Sequence, residues 1–287
     1  MQQCKPNWLK VRIPASANIF QTTDLLRANQ HVTVCEQAAC PNLTECFHKG
    51  TATFMLMGDY CTRCCKFCNI KHGSPKPIDL HEPAKLAITI KKMQLKYAVL
   101  TSVSRDDIPD GGASHFANCI KEIYAIDNNV KIEILTPDFC SAQLAAIKTL
   151  MGVDYYIFNH NIETVARLYN VISPKADYQR SLELLKTHKQ MRPNILTKSG
   201  LMVGLGETNA EIIEIMYNLR ECNVDMLTIG QYMQPTSMHW PVSRYVAPDD
   251  FKMFTHVAKK MGFKNAFCGP LVRSSYHADR QDIIAVL

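Results

Sequence analysis

The sequence predicts an α/β fold: a partial (β/α)6 TIM-like barrel with an N-terminal and a C-terminal extension. Three observations predict it. Apolar strand candidates recur along the chain, segments of helical period lie between them, and six such units over about 180 residues fall short of the roughly 250 of a closed eight-unit barrel. The strand candidates are 51–57 (TATFMLM), 97–103 (YAVLTSV), 131–136 (KIEILT), 154–158 (DYYIF), 200–204 (GLMVG) and 226–231 (MLTIGQ), most of them bounded by turn or cap residues. In 112–126, Phe116, Ile120 and Ile123 share one helical face, and in 211–222 Ile212, Met216 and Leu219 do the same behind a Thr208-x-x-Glu211 capping box. Strand and helix in alternation imply parallel strands with right-handed crossovers. The expected division is 1–50 as an N-terminal extension, 51–262 as the partial barrel and 263–287 as a C-terminal segment.

Composition bounds the function classes. The chain has 287 residues, 47% of them apolar, enough to bury a sizeable core. Its longest apolar runs are a few residues, far below the roughly 20 that cross a bilayer. The start, MQQCKPNWLKVRIP, carries neither a secretory nor a transit pattern, so a soluble cytoplasmic protein is expected. A net charge of +6 with interspersed acids suits an acidic protein partner or an anionic cofactor. There is no basic run and no nucleic-acid-binding signature, so neither a nucleic-acid nor a membrane partner is expected.

The cysteines carry the chemistry. Of twelve, seven fall between positions 35 and 68, too unevenly for a disulfide framework. Cys4, Cys119, Cys140, Cys222 and Cys268 are scattered and are expected to be small buried hydrophobes. In CTRCCKFC, Cys61/Cys64 and Cys65/Cys68 form two C-x2-C pairs with no spacer, a poor basis for one zinc tetrahedron. Cys61, Cys65 and Cys68, spaced C-x3-C-x2-C, fit a 4Fe–4S cubane held by three thiolates with its fourth iron open to a small ligand. The alternative triplet Cys61, Cys64, Cys68 has the reversed spacing. The loop follows the first strand, at the end where barrel active sites form. A second group, Cys35, Cys40 and Cys46, is spaced C-x4-C-x5-C. It suits either a second cluster or a zinc site completed by His31 or His48.

The first triplet, with Phe67 before its last cysteine, resembles the radical S-adenosylmethionine superfamily, in which the open iron holds the amino and carboxylate groups of S-adenosylmethionine. Both triplets together resemble the lipoyl synthase family. The resemblance runs over nearly the whole chain, through KPNWLKVR, CEQAACPNLTECF, GTATFMLMGDYCTRCCKFC, LTSVSRDDIPDGGASHF, ILTPDF, FNHNIETV, TKSGLMVGLGET, DMLTIGQYMQPT and GPLVRSSYHA. The C-x4-C-x5-C triplet and RSSY are specific to that family, whereas C-x3-C-x2-C alone indicates only the superfamily. The chain departs from the family at Cys64, where an arginine or similar residue is usual, and near Lys66, where proline or arginine is usual.

The resemblance implies a radical-type partial barrel, S-adenosylmethionine and two 4Fe–4S clusters. It assigns Cys61, Cys65 and Cys68 to the S-adenosylmethionine cluster and leaves Cys64 a bystander. Cys35, Cys40 and Cys46 then hold an auxiliary cluster, with a serine of Arg273-Ser274-Ser275-Tyr276 as fourth ligand, Ser275 in preference to Ser274. An oxygen ligand matches iron less well than a thiolate, so its bond suits a cluster that is dismantled as sulfur donor. The implied reaction inserts two sulfurs at carbons 6 and 8 of an octanoyl chain on a lysine of a lipoyl carrier domain. A low-potential donor of flavodoxin or ferredoxin type supplies electrons. Unactivated C–H bonds give side-chain acids and bases nothing to do, so no catalytic acid or base is expected, and the protein's part is positioning and exclusion of water. Another two-cluster radical enzyme, such as a methylthiotransferase, would normally carry an RNA-binding appendage, which is not visible. A zinc-stabilised binding module is the alternative from another class.

Other motifs are placed around the cofactor. Asn159, Asn161 and Glu163 follow a strand and are candidates for its ribose or amino group, with an ordinary helix cap by Asn161 the competing reading. Arg180 offers a guanidinium fork for its carboxylate, against a solvated helix face. GLGET (204–208) has too few glycines for a dinucleotide fingerprint. Asp106, Asp107 and Asp110 read as a polar loop at the barrel mouth, with a hard-metal site as the alternative.

Overall fold

In a computed structural model of the chain, residues 4–10 and 17–281 are described. Residues 1–3 and 11–14 of the opening stretch read for a leader, and 282–287 of the C-terminal segment, lie outside the described residues. The chain divides into two compact units: Arg12–Arg63 with Asn69–Phe158, and Met1–Val11 and Cys64–Cys68 with Asn159–Leu287.

The first unit begins with α1 (Ala17–Ala28), β1 (Val32–Thr33), α2 (Val34–Gln37) and α3 (Leu43–His48). It continues through β2 (Thr53–Leu56), β3 (Tyr60–Cys61), β4 (Lys71–His72), α4 (Glu82–Lys92), β5 (Tyr97–Ser102), α5 (Ala113–Ile126), β6 (Lys131–Leu135) and α6 (Gln143–Leu150). Strands β2, β5 and β6 pair in parallel, with Thr53 opposite Val99 and Val99 opposite Glu133. All four residues of β2 and the central four of β5 are buried, as expected of strands covered on both faces. Helix α4 turns Leu86, Ala87 and Ile90 inward, and α5 turns Phe116, Ile120 and Ile123 inward. The expected N-terminal extension contributes a strand: β1 runs antiparallel to β2, with Val32 opposite Met55.

The chain leaves the first unit within β7 (Ile157–Asn159). The second unit follows as α7 (Ala166–Ile172), α8 (Tyr178–Met191), β8 (Leu196–Val203), α9 (Asn209–Glu221), β9 (Met226–Gln231), α10 (Pro248–Lys260), β10 (Asn265–Gly269) and α11 (Ala278–Gln281). Strands β8, β9 and β10 are parallel neighbours, with Lys198 opposite Met226 and Met226 opposite Asn265. The predicted capping box of α9 is formed: the Thr208 hydroxyl accepts from the Glu211 amide, and the Glu211 side chain accepts from the Thr208 amide.

The expected α/β class is the one observed, and among the described residues no closed barrel forms. Besides β1 and the short pair β3 and β4, three strands differ from the sequence reading. Strand β8 begins at Leu196, four residues before the predicted start, because Thr197, Lys198 and Ser199 are polar yet fully buried. Strand β7 lies at 157–159, later than the predicted 154–158. Strand β10, NAFCG, was not predicted at all; it adds a parallel strand beyond the six expected. Among the described residues, no helix is long and apolar enough to cross a membrane.

Candidate metal centres

The upstream cysteines are gathered by two very short helices. The Thr33 hydroxyl caps α2 by accepting from the Glu36 amide, Cys40 N donates to the Cys35 carbonyl at 3.1 Å, and Cys46 N donates to the Asn42 carbonyl at 2.9 Å. Between the helices the chain reverses through Ala39 at φ +48°. The three thiols come within electrostatic reach of one another. Burial pushes Cys35 up to about 11, with a further rise from Cys40, while hydrogen bonds from Thr53 pull the other way. Burial and then repulsion from Cys35 and Cys40 push Cys46 up to about 12. Cys35 is buried, Cys40 and Cys46 are partly covered, and a cation would offset the cost of ionising Cys35 and Cys46.

Among the described residues, no group of three or more His, Cys, Asp or Glu side chains is placed to hold a metal ion as it stands. The two histidines considered for zinc are directed elsewhere. His31 Nε2 lies 2.9 Å from Thr89 Oγ1 with its ring edge-on to Phe54, and His48 is exposed.

The CTRCCKFC loop is fixed at both ends, each within its own unit. In the first unit, Cys61 ends β3 and pairs with His72, and the Gly73 amide donates to its carbonyl at 3.0 Å. The Thr62 amide and hydroxyl donate to the Ser104 carbonyl at 3.1 and 2.9 Å, and the Arg63 amide donates to Cys61 Sγ at 3.4 Å. Arg63 is buried and grips Asp106 through two 2.8 Å hydrogen bonds; it also donates to Asp138 and, at 2.8 Å, to Cys140 Sγ. Burial disfavours the guanidinium charge, but these carboxylates more than offset it. Burial raises Asp106 in turn, but the Arg63 guanidinium holds it below the ordinary carboxylate range.

In the second unit, the Lys66 amide donates to the Ile172 carbonyl and the Trp240 amide to the Lys66 carbonyl, both at 2.8 Å. The Lys66 ammonium sits 5.4 Å from the centre of the Trp240 ring. A tight turn brings Cys68 N to the Cys65 carbonyl at 3.0 Å, and His239 Nε2 lies 3.2 Å from the Cys68 carbonyl. Burial and then the nearby Cys68 raise the Tyr232 phenol above its usual range. Cys61, Cys65 and Cys68 are partly covered, whereas Cys64 is exposed.

The residues expected to hold the cofactor fall in the second unit. Asn159 is fully buried at the end of β7. Asn161 donates to Glu163 Oε1 at 3.1 Å and accepts the Ser274 hydroxyl at 2.6 Å. Burial pushes the Glu163 carboxyl up to about 7, against the pull of the Asn161 amide. The Arg180 guanidinium donates to the Lys175 carbonyl at 3.0 Å, and its amide is capped by Asp177. Ser274 spends its hydroxyl on Asn161 and its carbonyl on Lys198 Nζ, 2.6 Å away, while the Ser275 carbonyl accepts from Ala278 N at 3.4 Å.

The aspartates of SRDDIPDGG are not a hard-metal site. Asp106 pairs with Arg63, Asp107 takes two hydrogen bonds from Arg105, and Asp110 caps α5 through the Gly112 and Ser114 amides. Of the scattered cysteines, Cys119 and Cys222 are buried as expected, Cys4 is exposed, Cys268 is half-buried, and Cys140 joins the Arg63 cluster. Sequence reasoning missed Arg63, Lys198 and the His239–Trp240 segment. A cation inside a cysteine loop was a usable signal for Arg63; nothing in TKSG marks Lys198 as fully buried.

Comparison with known proteins places the chain. A family profile described as the radical SAM superfamily matches residues 55–219. The chain is 55% identical over 277 residues to the lipoyl synthase of Pseudomonas entomophila strain L48, covering 96% of this chain and 82% of that one. It is 56% identical over 278 residues to the lipoyl synthase of Glaesserella parasuis serovar 5 strain SH0165, covering 96% and 87%. Among solved structures it resembles the FeFe-hydrogenase maturase HydG from Carboxydothermus hydrogenoformans, with TM-score 0.60, 14% identity and coverage of 81% and 56%. It also resembles Streptococcus suis SuiB bound to S-adenosylmethionine, with TM-score 0.56, 13% identity and coverage of 89% and 56%. The chain thus spans just over half the length of each structure, and at these identities the likeness is one of fold.

Proposed function

For a chain that belongs to the lipoyl synthase family, within the radical S-adenosylmethionine superfamily, we propose insertion of two sulfurs at carbons 6 and 8 of a protein-bound octanoyl-lysine. The chain is a sulfurtransferase of that family, with S-adenosylmethionine and 4Fe–4S clusters as its cofactors. The observation that carries the finer reading is the Cys35, Cys40, Cys46 group, gathered by two short helices closely enough that Cys40 raises Cys35 and both raise Cys46. Soft thiolates in that arrangement fit an iron–sulfur cluster.

On this proposal Cys61, Cys65 and Cys68 hold the radical cluster, and Cys35, Cys40 and Cys46 with Ser275 hold the auxiliary one. When bound, the radical cluster and S-adenosylmethionine supply hydrogen abstraction at unactivated carbon, and the auxiliary cluster supplies sulfur. The chain's own residues do the holding. The Lys66 and Cys68 amides and the Trp240 indole pin the backbone around Cys65 and Cys68. Arg63, tied to Asp106 and Asp138, stiffens the residue pair after Cys61. Ser274 is held by Asn161 and Lys198, next to the serine that the family resemblance proposes as ligand, Ser275. Asn159, Asn161, Glu163 and Arg180 are the proposed cofactor contacts, with Glu163 able to carry a proton near neutral pH.

The proposal divides the chain by role into 1–50 with the auxiliary cysteines, 51–262 as the radical barrel and 263–287 with RSSY. It places the enzyme in the cytoplasm, acting on an octanoylated lipoyl carrier domain and fed by a low-potential flavodoxin- or ferredoxin-type donor. The test is mass spectrometry of an octanoyl-lysine peptide after anaerobic incubation with the reconstituted enzyme, S-adenosylmethionine and reductant. A gain of two sulfurs, from protein loaded with about eight irons as two four-iron clusters, is expected. An unchanged peptide from fully loaded protein that still cleaves S-adenosylmethionine would overturn it.

A further inference from the structure

We infer that Lys198 is a positioning residue for the serine ligand of the auxiliary cluster, acting through the peptide that joins Ser274 to Ser275; this rests on the assignment of Ser275 above. Lys198 stands in β8 with no exposed surface, and its Nζ donates to the Ser274 carbonyl at 2.6 Å. A fully buried ammonium is costly to desolvate, and a strand interior does not need one for packing. The carbonyl it holds belongs to the same planar peptide as the Ser275 nitrogen, so fixing that oxygen fixes the Ser275 nitrogen and Cα and leaves only φ and χ1 to aim its hydroxyl.

The surroundings of that peptide are built for a close approach. Gly200 lies two residues along β8, on the same face as Lys198. A methyl group at Gly200 would stand 2.7 Å from Ser274 Oγ, 2.8 Å from Asn161 Oδ1 and 2.6 Å from Thr228 Oγ1. On β9, a methyl at Gly230 would collide with the Val272 carbonyl and reach Arg273 Nη1 at 3.0 Å. Two neighbouring strands are therefore stripped of side chain where the RSSY segment lies on them. Asn161 adds a second tether by accepting the Ser274 hydroxyl at 2.6 Å. The segment is clamped at Ser274 by two side chains distant in sequence, one position before the proposed ligand.

The test uses the full chain with Cys61, Cys65 and Cys68 replaced by alanine, so that only the auxiliary cluster loads. Lys198→Met, Ser274→Ala and Ser275→Ala are made in that background, reconstituted anaerobically and oxidised mildly. Electron paramagnetic resonance and iron counts are read, with circular dichroism as the folding control. Loss of the serine ligand exposes one iron, so Ser275→Ala is expected to fall from about four irons per chain to about three and to show a three-iron signal. Lys198→Met is expected to show the same signal, with Ser274→Ala intermediate. If Ser275→Ala changes nothing, the ligand assignment itself fails. If Ser275→Ala exposes the iron while folded Lys198→Met keeps the parent spectrum and iron count, Lys198 has no positioning role. Should Lys198→Met not fold, a folded Lys198→Gln decides, and a parent-like spectrum and iron count there count against a positioning role for the Lys198 ammonium.

Discussion

At the scale of single residues, Cys64 and Cys65 are chemically identical neighbours in different surroundings. Cys64 projects into solvent, whereas Cys65 is partly covered and shares a hydrogen-bonded turn with Cys68. Cys64→Ser is expected to leave the brown cluster and S-adenosylmethionine cleavage within about twofold of the parent. Cys65→Ser is expected to reduce 5′-deoxyadenosine release more than 100-fold, beyond the roughly 10–100-fold that loss of a ligand's hydrogen-bond partner costs a metal site. Chromatographic assay of 5′-deoxyadenosine distinguishes the two, and the reverse outcome would replace the ligand set by Cys61, Cys64 and Cys68. Spacing alone is what proposes Cys65 over Cys64. The role of Arg63 was not readable, because its partners Asp106 and Asp138 lie 43 and 75 residues away.

At the scale of elements, local chemistry was the better guide. Helix α9 starts where its capping box says, with Glu211 pulled down to about 2 by Arg167 first and the Thr208 amide next. Thr208→Ala is expected to cost about 1 kcal/mol, the usual worth of an N-cap. That loss should appear as a fall of roughly 2–4 °C in the melting temperature followed by circular dichroism. A melt that does not move would show that Arg167 and Glu211 suffice to hold the helix start. Strands were legible where they were apolar and illegible where they were not. The start of β8 escaped because Thr197, Lys198 and Ser199 carry no hydrophobic period, although each is buried.

At the scale of the molecule, polar staples complement the apolar cores. In the second unit Asp225, 5% exposed, accepts from Lys189 at 2.7 Å, Lys264 at 2.9 Å and the Thr197 amide at 2.9 Å. These contacts tie α8, the start of β8 and the α10–β10 turn to the start of β9. Burial raises its pKa, but Lys189, the Thr197 amide and Lys264 together hold it below the ordinary value of 3.8. Because the folded value is depressed, the stabilisation is full above about pH 4 and is lost as pH falls through the lower folded value. Asp225→Asn, which leaves a largely buried Lys189 unpaired, is expected to cost about 3 kcal/mol at pH 7. In denaturant melts the gap between variant and parent should narrow steadily from pH 5 to pH 3. A gap independent of pH would mean that shape, rather than charge, sets the cost.

The sequence by itself determined the α/β class, the two cysteine triplets and the family, because periodicity and ligand spacing are short-range properties written in consecutive residues. Only the tertiary structure decided that the aspartates of SRDDIPDGG serve arginines and a helix cap, and that His31 turns to Thr89 rather than to the thiols. It alone also showed that Lys198 grips a carbonyl 76 residues away and that Asn161 takes the Ser274 hydroxyl across 113. A buried polar side chain bonds to whatever the packed chain brings within about 3 Å, and such partners are set by the whole fold rather than by neighbours in sequence.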